Sequence, residues 1–152
     1  MNRRDFLKDC VASGVTGAAL GAGLLTPGTA FAKEYDPFQA TSVDDALQAL
    51  GVAGAETSDQ IRIRAPTVAE NGAAVPVQIT SSIDHTTEII AIAAANPKPL
   101  AARYRFGKGA SPAVESRLKI RKTTDLIAVV KADGKYYTAK TEVKVTRGGC
   151  GG

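Results

Sequence analysis

The chain has 152 residues, 44% of them hydrophobic and 22% charged, with a formal net charge of +4 at pH 7. That length supports one domain with a modest core, and a charge so mild and dispersed argues against a nucleic-acid partner. Two cysteines and a single histidine provide neither a CxxC redox pair nor a Cys/His cluster, so no bound metal and no cofactor are expected.

Residues 1–32 read as an export signal. Met1-Asn2-Arg3-Arg4-Asp5-Phe6-Leu7-Lys8 carries a twin arginine followed by x-Phe-Leu-Lys, the pattern of a twin-arginine (Tat) leader. A weakly apolar stretch from Val11 to Leu25 follows, broken by Ser13, Gly14, Thr16, Gly17, Gly21 and Gly23. It is short for a span of ~20 apolar residues. Thr29-Ala30-Phe31-Ala32 then sets small residues at the minus-three and minus-one positions of a cleavage site. Cleavage after Ala32 would release the chain into the periplasm without a membrane anchor and remove Cys10 with the leader.

The exported part is expected to be an all-β, immunoglobulin-like sandwich of about seven strands, spanning residues 33–147, with a short N-terminal helix and an arm at 148–152. Lys33 to Thr41 reads as an extended lead-in. Ser42 to Gly51 reads as the helix, with Thr41 or Ser42 as N-cap, Asp44 and Asp45 at its positive end, and Val43, Ala46, Leu47 and Leu50 on one face. Ala53 to Asp59 is expected to be a polar connection.

From Gln60 the hydrophobic period changes to two. Ile61-Arg62-Ile63-Arg64 alternates, Asn71-Gly72 signals a turn, and Val75, Val77 and Ile79 share a face. Glu88 to Ala95 is a continuous apolar run bounded by Asn96-Pro97, which predicts a central strand. Strands are also predicted over Leu100–Phe106 and Val114–Arg121. Asp133-Gly134 is a type I′ hairpin signal joining Leu126–Lys131 to Lys135–Thr146. The last strand sets Tyr137, Ala139, Val143 and Val145 against Lys140, Glu142 and Lys144. Of Tyr136 and Tyr137, one is expected in the core and one on the surface. Arg103, Arg105, Arg117, Lys119 and Arg121 read as a basic stripe, a solvated face in preference to a partner-facing one. Arg147 reads as a solvated strand-end charge in preference to a group favouring the thiolate or an anionic cargo, and His85 as a surface imidazole without an obvious partner.

The strand runs directly into Gly148-Gly149-Cys150-Gly151-Gly152. Four glycines leave the backbone there with great conformational freedom, and the lone cysteine left in an oxidising compartment signals a reactive thiol or an intermolecular bond. Cys150 is three residues beyond Arg147, so at ~3.3–3.6 Å per residue its thiol can stand roughly 10 Å past the sheet. The expected device is a short swinging arm: Gly148, Gly149, Gly151 and Gly152 supply the motion, and Cys150 is the point of covalent attachment.

In that terminal motif, in Val143-Lys144-Val145-Thr146 before it, and in Ala69-Glu70-Asn71-Gly72, Asn96-Pro97 and Val129-Val130-Lys131-Ala132-Asp133-Gly134-Lys135, the exported part resembles the Y subunits of the periplasmic Sox carrier. The resemblance implies a carrier of thiosulfate-oxidation intermediates with no independent catalytic activity and no cofactor beyond the sulfur bound to Cys150. It implies pairing with a second β-sandwich subunit, SoxZ. It further implies a haem-containing enzyme that couples thiosulfate to Cys150 as a thiosulfonate, and a manganese-dependent hydrolase that releases sulfate and leaves a persulfide. In some organisms a molybdenum-containing sulfane dehydrogenase acts as well. Two other readings stay open on the residues alone. One is a structural or binding module whose Cys150 only forms an intermolecular disulfide. The other is a Gly-Gly carrier bearing a thiocarboxylate at Gly152, which would need ATP-dependent adenylation.

Overall fold

The computed structural model describes residues 35–147; the expected leader and the expected arm lie outside them. In chain order the elements are a 3₁₀ turn (Pro37–Gln39), α1 (Val43–Ala49), β1 (Glu56–Thr57), β2 (Ile61–Arg64), β3 (Val68–Ala69), β4 (Val75–Ser81), β5 (Thr86–Ala93), β6 (Leu100–Arg105), β7 (Ala113–Leu118), β8 (Thr124–Ala132) and β9 (Lys135–Val145). The larger sheet runs β1-β9-β8-β5-β6, with β3 also on β9; the smaller runs β2-β4-β7. All pairs are antiparallel except β1 and β3, which lie parallel to β9. The architecture is the expected immunoglobulin-like sandwich.

Alternation along the strands builds its core. Val75, Val77 and Ile79 project from β4 and Ile61 from β2, meeting Ile89 and Ala91 of β5, Leu126, Ala128 and Val130 of β8, and Val143 of β9. Burying each Ile or Leu side chain contributes about 1.5–3 kcal/mol. The other face of the larger sheet is covered too. Ile90 and Ile92 of β5, Leu100 of β6 and Val129 of β8 pack with Ala40 and Ala46, flanked by Val43, Leu47 and Leu50. Strand β5 therefore has apolar neighbours on both faces, which is why its run does not alternate.

Local chemistry fixes the ends of α1. Ser42 Oγ accepts the Asp45 N–H at 3.1 Å, so Ser42 is the N-cap. At the other end Gly51 takes φ +70°, the Val52 N–H donates to Leu47 C=O at 2.9 Å and the Gly51 N–H to Gln48 C=O at 3.0 Å. That pair of bonds is a Schellman closure. The β8–β9 hairpin turns on Asp133 (φ 49°) and Gly134 (φ 74°), the two positive φ values that a type I′ turn requires.

Four expectations are corrected. There are nine strands, because the polar connection contributes β1 and residues 68–69 contribute β3. Each is only two residues long and pairs with one end of the eleven-residue β9. The lead-in is not extended: Asp36 Oδ1 accepts the Phe38 N–H at 3.0 Å and Pro37 presets the turn, which brings Ala40 into full burial. Tyr136 is not simply a surface residue. Tyr137 packs on the inter-sheet core and Tyr136 on the helix-side cluster, where the Lys131 ammonium lies 5.5 Å from its ring centroid. The basic stripe is split: Arg103 and Arg105 lie on β6 of the larger sheet, Arg117 on β7 of the smaller one, and Lys119 and Arg121 follow β7.

Candidate functional site

The chain is firmly held up to the last described residue. Along the end of β9, Lys144 and Val145 pair with Val68 and Ala69. The Val145 N–H donates to Thr123 Oγ1 at 3.0 Å and the Thr146 N–H to Ala69 C=O at 3.1 Å. The Arg147 C=O accepts the Gly72 N–H at 3.0 Å, and the Gly72 C=O accepts the Ile120 N–H at 2.7 Å. Buried Gly72 thus couples the chain end to the segment after β7. Asn71 sets this turn by accepting the Ala73 N–H at 2.9 Å, an Asx turn.

Asn96, read from the sequence only as a strand boundary, ties in a third loop. Its amide donates to Lys119 C=O at 2.8 Å and its Oδ1 accepts the Arg121 N–H at 2.9 Å. The Asn96→Ala variant loses both bonds and is expected to be destabilised by about 1–3 kcal/mol, measurable as a lower urea midpoint with an unchanged slope.

Cys150, Gly148, Gly149, Gly151 and Gly152 all lie outside the described residues. The fold places their root: a strand end clamped on both sides, from which three residues of chain reach roughly 10 Å at most.

His85 stands at the opposite end of the sandwich, beside the Asp133-Gly134 turn. Its Nδ1 lies 3.0 Å from Asp133 Oδ2, with both side chains largely exposed. A cleft of about 620 Å³ opens there, lined in part by Ser81, His85, Phe106 and Lys108. The eleven residues of β9, at ~3.4 Å each, set that end roughly 35 Å from the root. Neither His85 nor the cleft can meet Cys150 of the same chain.

Contrary to expectation, His85 does have a partner. The hydrogen bond that the imidazole donates to the Asp133 carboxylate, and that carboxylate's negative charge, raise the imidazole above its ordinary 6.5. A raised folded-state value means the pair's small stabilising effect is full below the unfolded value and fades as pH rises through the folded one. An NMR titration of His85 is expected to give a midpoint above 6.5, moving down in the Asp133→Asn variant.

The sequence reading also missed Glu88. Nearly buried at the head of β5, its carboxylate is hydrogen-bonded by the Arg103 guanidinium, and Arg105 Nε lies 3.8 Å away. The β5–β6 register, Glu88 opposite Arg105, brings them together. This pair steadies the larger sheet at the end where Glu88 faces Lys131 of β8, away from Val145 and Arg147. Among the described residues no group of three or more His, Cys, Asp or Glu could hold a metal ion, and no helix is long and apolar enough to cross a membrane.

The family model for sulfur oxidation protein SoxY matches residues 47–150, a span that runs from α1 through Cys150. The chain belongs to the SoxY family. Among solved structures, the sulfur carrier protein SoxY from Chlorobium limicola f thiosulfatophilum is 42% identical, with a TM-score of 0.64, covering 69% of this chain and 96% of that one. The human F-spondin reeler domain is 11% identical with a TM-score of 0.36, covering 61% of this chain and 95% of that one; a likeness that distant carries no argument. No curated protein matches the chain. As a SoxY family member it is a component of sulfur oxidation, and the clamped strand end described above directly precedes the Gly-Gly-Cys-Gly-Gly segment in the chain.

Proposed function

We propose that this chain is the sulfur carrier of a Sox thiosulfate-oxidation system, exported by the twin-arginine pathway to the periplasm, and that it holds pathway intermediates covalently on Cys150. The observation that carries the reading is the clamped strand end at Arg147, three residues before a cysteine set among four glycines, in a chain of the SoxY family. A firm root with a short glycine arm lets a bound group enter a narrow active site while the domain stays outside.

The chemistry needs a nucleophilic thiolate and an external oxidant. A thiol of ordinary pKa ~8.5 is only a few per cent ionised near neutrality, so activation falls to the enzyme that receives the arm. In the coupling step the Cys150 thiolate and the sulfane sulfur of thiosulfate form an S–S bond, and two electrons pass to the haem-containing partner. The product is a thiosulfonate on the cysteine. In the next step water attacks the sulfonate sulfur in the manganese-dependent hydrolase. The S–S bond to that sulfur breaks, sulfate leaves with two protons released, and a persulfide remains on Cys150. A molybdenum-containing sulfane dehydrogenase would oxidise that remaining sulfur where one is present. The carrier supplies no catalytic group to either step, and its SoxZ partner completes the unit that enzymes recognise.

Thiol blocking tests this directly. Purified carrier should be alkylated at Cys150 by iodoacetamide. After incubation with thiosulfate and the haem-containing partner it should resist alkylation until a reductant is added. Unchanged alkylation after that incubation would refute the proposal.

A further inference from the structure

We propose that Lys119, Arg121, Lys122 and Arg147 form a cationic docking face for enzymes whose active-site mouth carries an acidic rim. This rests on the carrier reading and names the kind of surface that must meet the arm. Geometry makes the contact unavoidable. An arm of three residues reaches roughly 10 Å, so any active site that receives Cys150 must bring its rim down onto the surface around Arg147. The charge of that surface therefore selects partners.

The hydrogen bonds of the root gather these four residues. Arg147 is joined through Gly72 to Ile120, and Ile120 is fully buried, so its neighbours Lys119 and Arg121 project outward. Lys122 precedes Thr123, whose hydroxyl accepts the Val145 N–H. All four cations are exposed, and none lies within ion-pair distance of a described carboxylate. The other lysines on the end half of β9 are already matched: Lys140 lies 3.5 Å from Asp125 and Lys144 3.9 Å from Glu142. Glu70 is the one carboxylate in the 70–74 turn at the root. The Asn96 clamp holds the 119–121 segment in place, so the charges are presented on rigid backbone. An unmatched cluster of one sign steers association with a surface of the other, and the gain fades with salt.

The test compares three carriers in the full complex with the second subunit: wild type, a quadruple alanine variant (Lys119, Arg121, Lys122 and Arg147), and a control quadruple alanine variant at Arg62, Arg64, Lys108 and Lys135. Each is loaded chemically with tetrathionate; the Cys150 thiolate takes a thiosulfonate group and displaces thiosulfate, so loading needs no partner enzyme. Sulfate release by the manganese-dependent hydrolase is then followed at low and high salt. The root variant is expected to show about tenfold lower kcat/KM at low salt with kcat unchanged, converging on wild type as salt shortens the Debye length to ~3 Å near 1 M. A Lys119→Glu/Lys122→Glu variant, which changes the charge of the face by the same four units, should fall by a similar factor. Wild-type kcat/KM in the root variant at low salt, or an equal fall in the control, would overturn the proposal. A fall in kcat alone would do so too, since it would assign these cations to the cargo and not to docking. If loaded wild type itself releases no sulfate, the carrier reading fails first and this inference falls with it.

Discussion

Cys150→Ser is expected to abolish thiosulfate-dependent turnover in a reconstituted system while leaving the thermal midpoint of the domain unchanged. A serine hydroxyl cannot form the S–S bond on which every later step depends, so the loss should be at least roughly a hundredfold, down to the background of carrier-free mixtures. Stability should not respond, because the hydrogen bonds that hold β9 and Arg147 in place are made by Ala69, Gly72 and Thr123 and use no atom of Cys150. The two readouts separate the competing accounts. A module that uses Cys150 only for an intermolecular disulfide would lose its dimer and nothing else, and a thiocarboxylate carrier would keep its activity, since its sulfur would reside on Gly152.

Deleting Gly148 and Gly149 is the second large effect. Cys150 would then follow Arg147 directly, cutting the reach from roughly 10 Å to about 3.5 Å. Turnover with partner enzymes should fall by roughly a hundredfold, because the reacting sulfur can no longer enter a recessed site and misplacement of even about 1 Å is costly. Iodoacetamide should still react with Cys150 at close to the wild-type rate, since a small reagent needs no arm. Replacing the two glycines with two alanines preserves length and should lose far less. Full turnover in the deletion variant would show that length at this point is irrelevant and that partners contact the thiol at the domain surface.

What the sequence made legible was whatever depends on near neighbours. The cap at Ser42, the closure at Gly51 and the apolar face of α1 are fixed within a turn or two of helix. The Asp133-Gly134 hairpin is fixed by the φ values its two residues accept. Alternation in β4 and the unbroken run in β5 reported burial on one face and on two. Contacts between distant segments left no such trace. Strands β1 and β3 are too short to show a period and exist because β9 is long enough to offer each of them a partner. The Asn96 clamp joins residues more than twenty positions apart. The arginines of β6 and the cations after β7 look like one stripe in the sequence, yet the chain crosses from one sheet to the other between them. The arm is the reverse case. It was read from composition alone and lies outside the described residues, and the fold contributes the clamped strand end that precedes it.

Intact mass spectrometry of the carrier, purified under thiol-trapping conditions from the periplasm of thiosulfate-grown cells, tests the central claim most directly. The account predicts a chain beginning at Lys33 with adducts of a sulfane sulfur and of a thiosulfonate group, both confined to the peptide that contains Cys150 and both absent from Cys150→Ser. A fully active population in which that peptide carries only a free thiol or an intermolecular disulfide would contradict it.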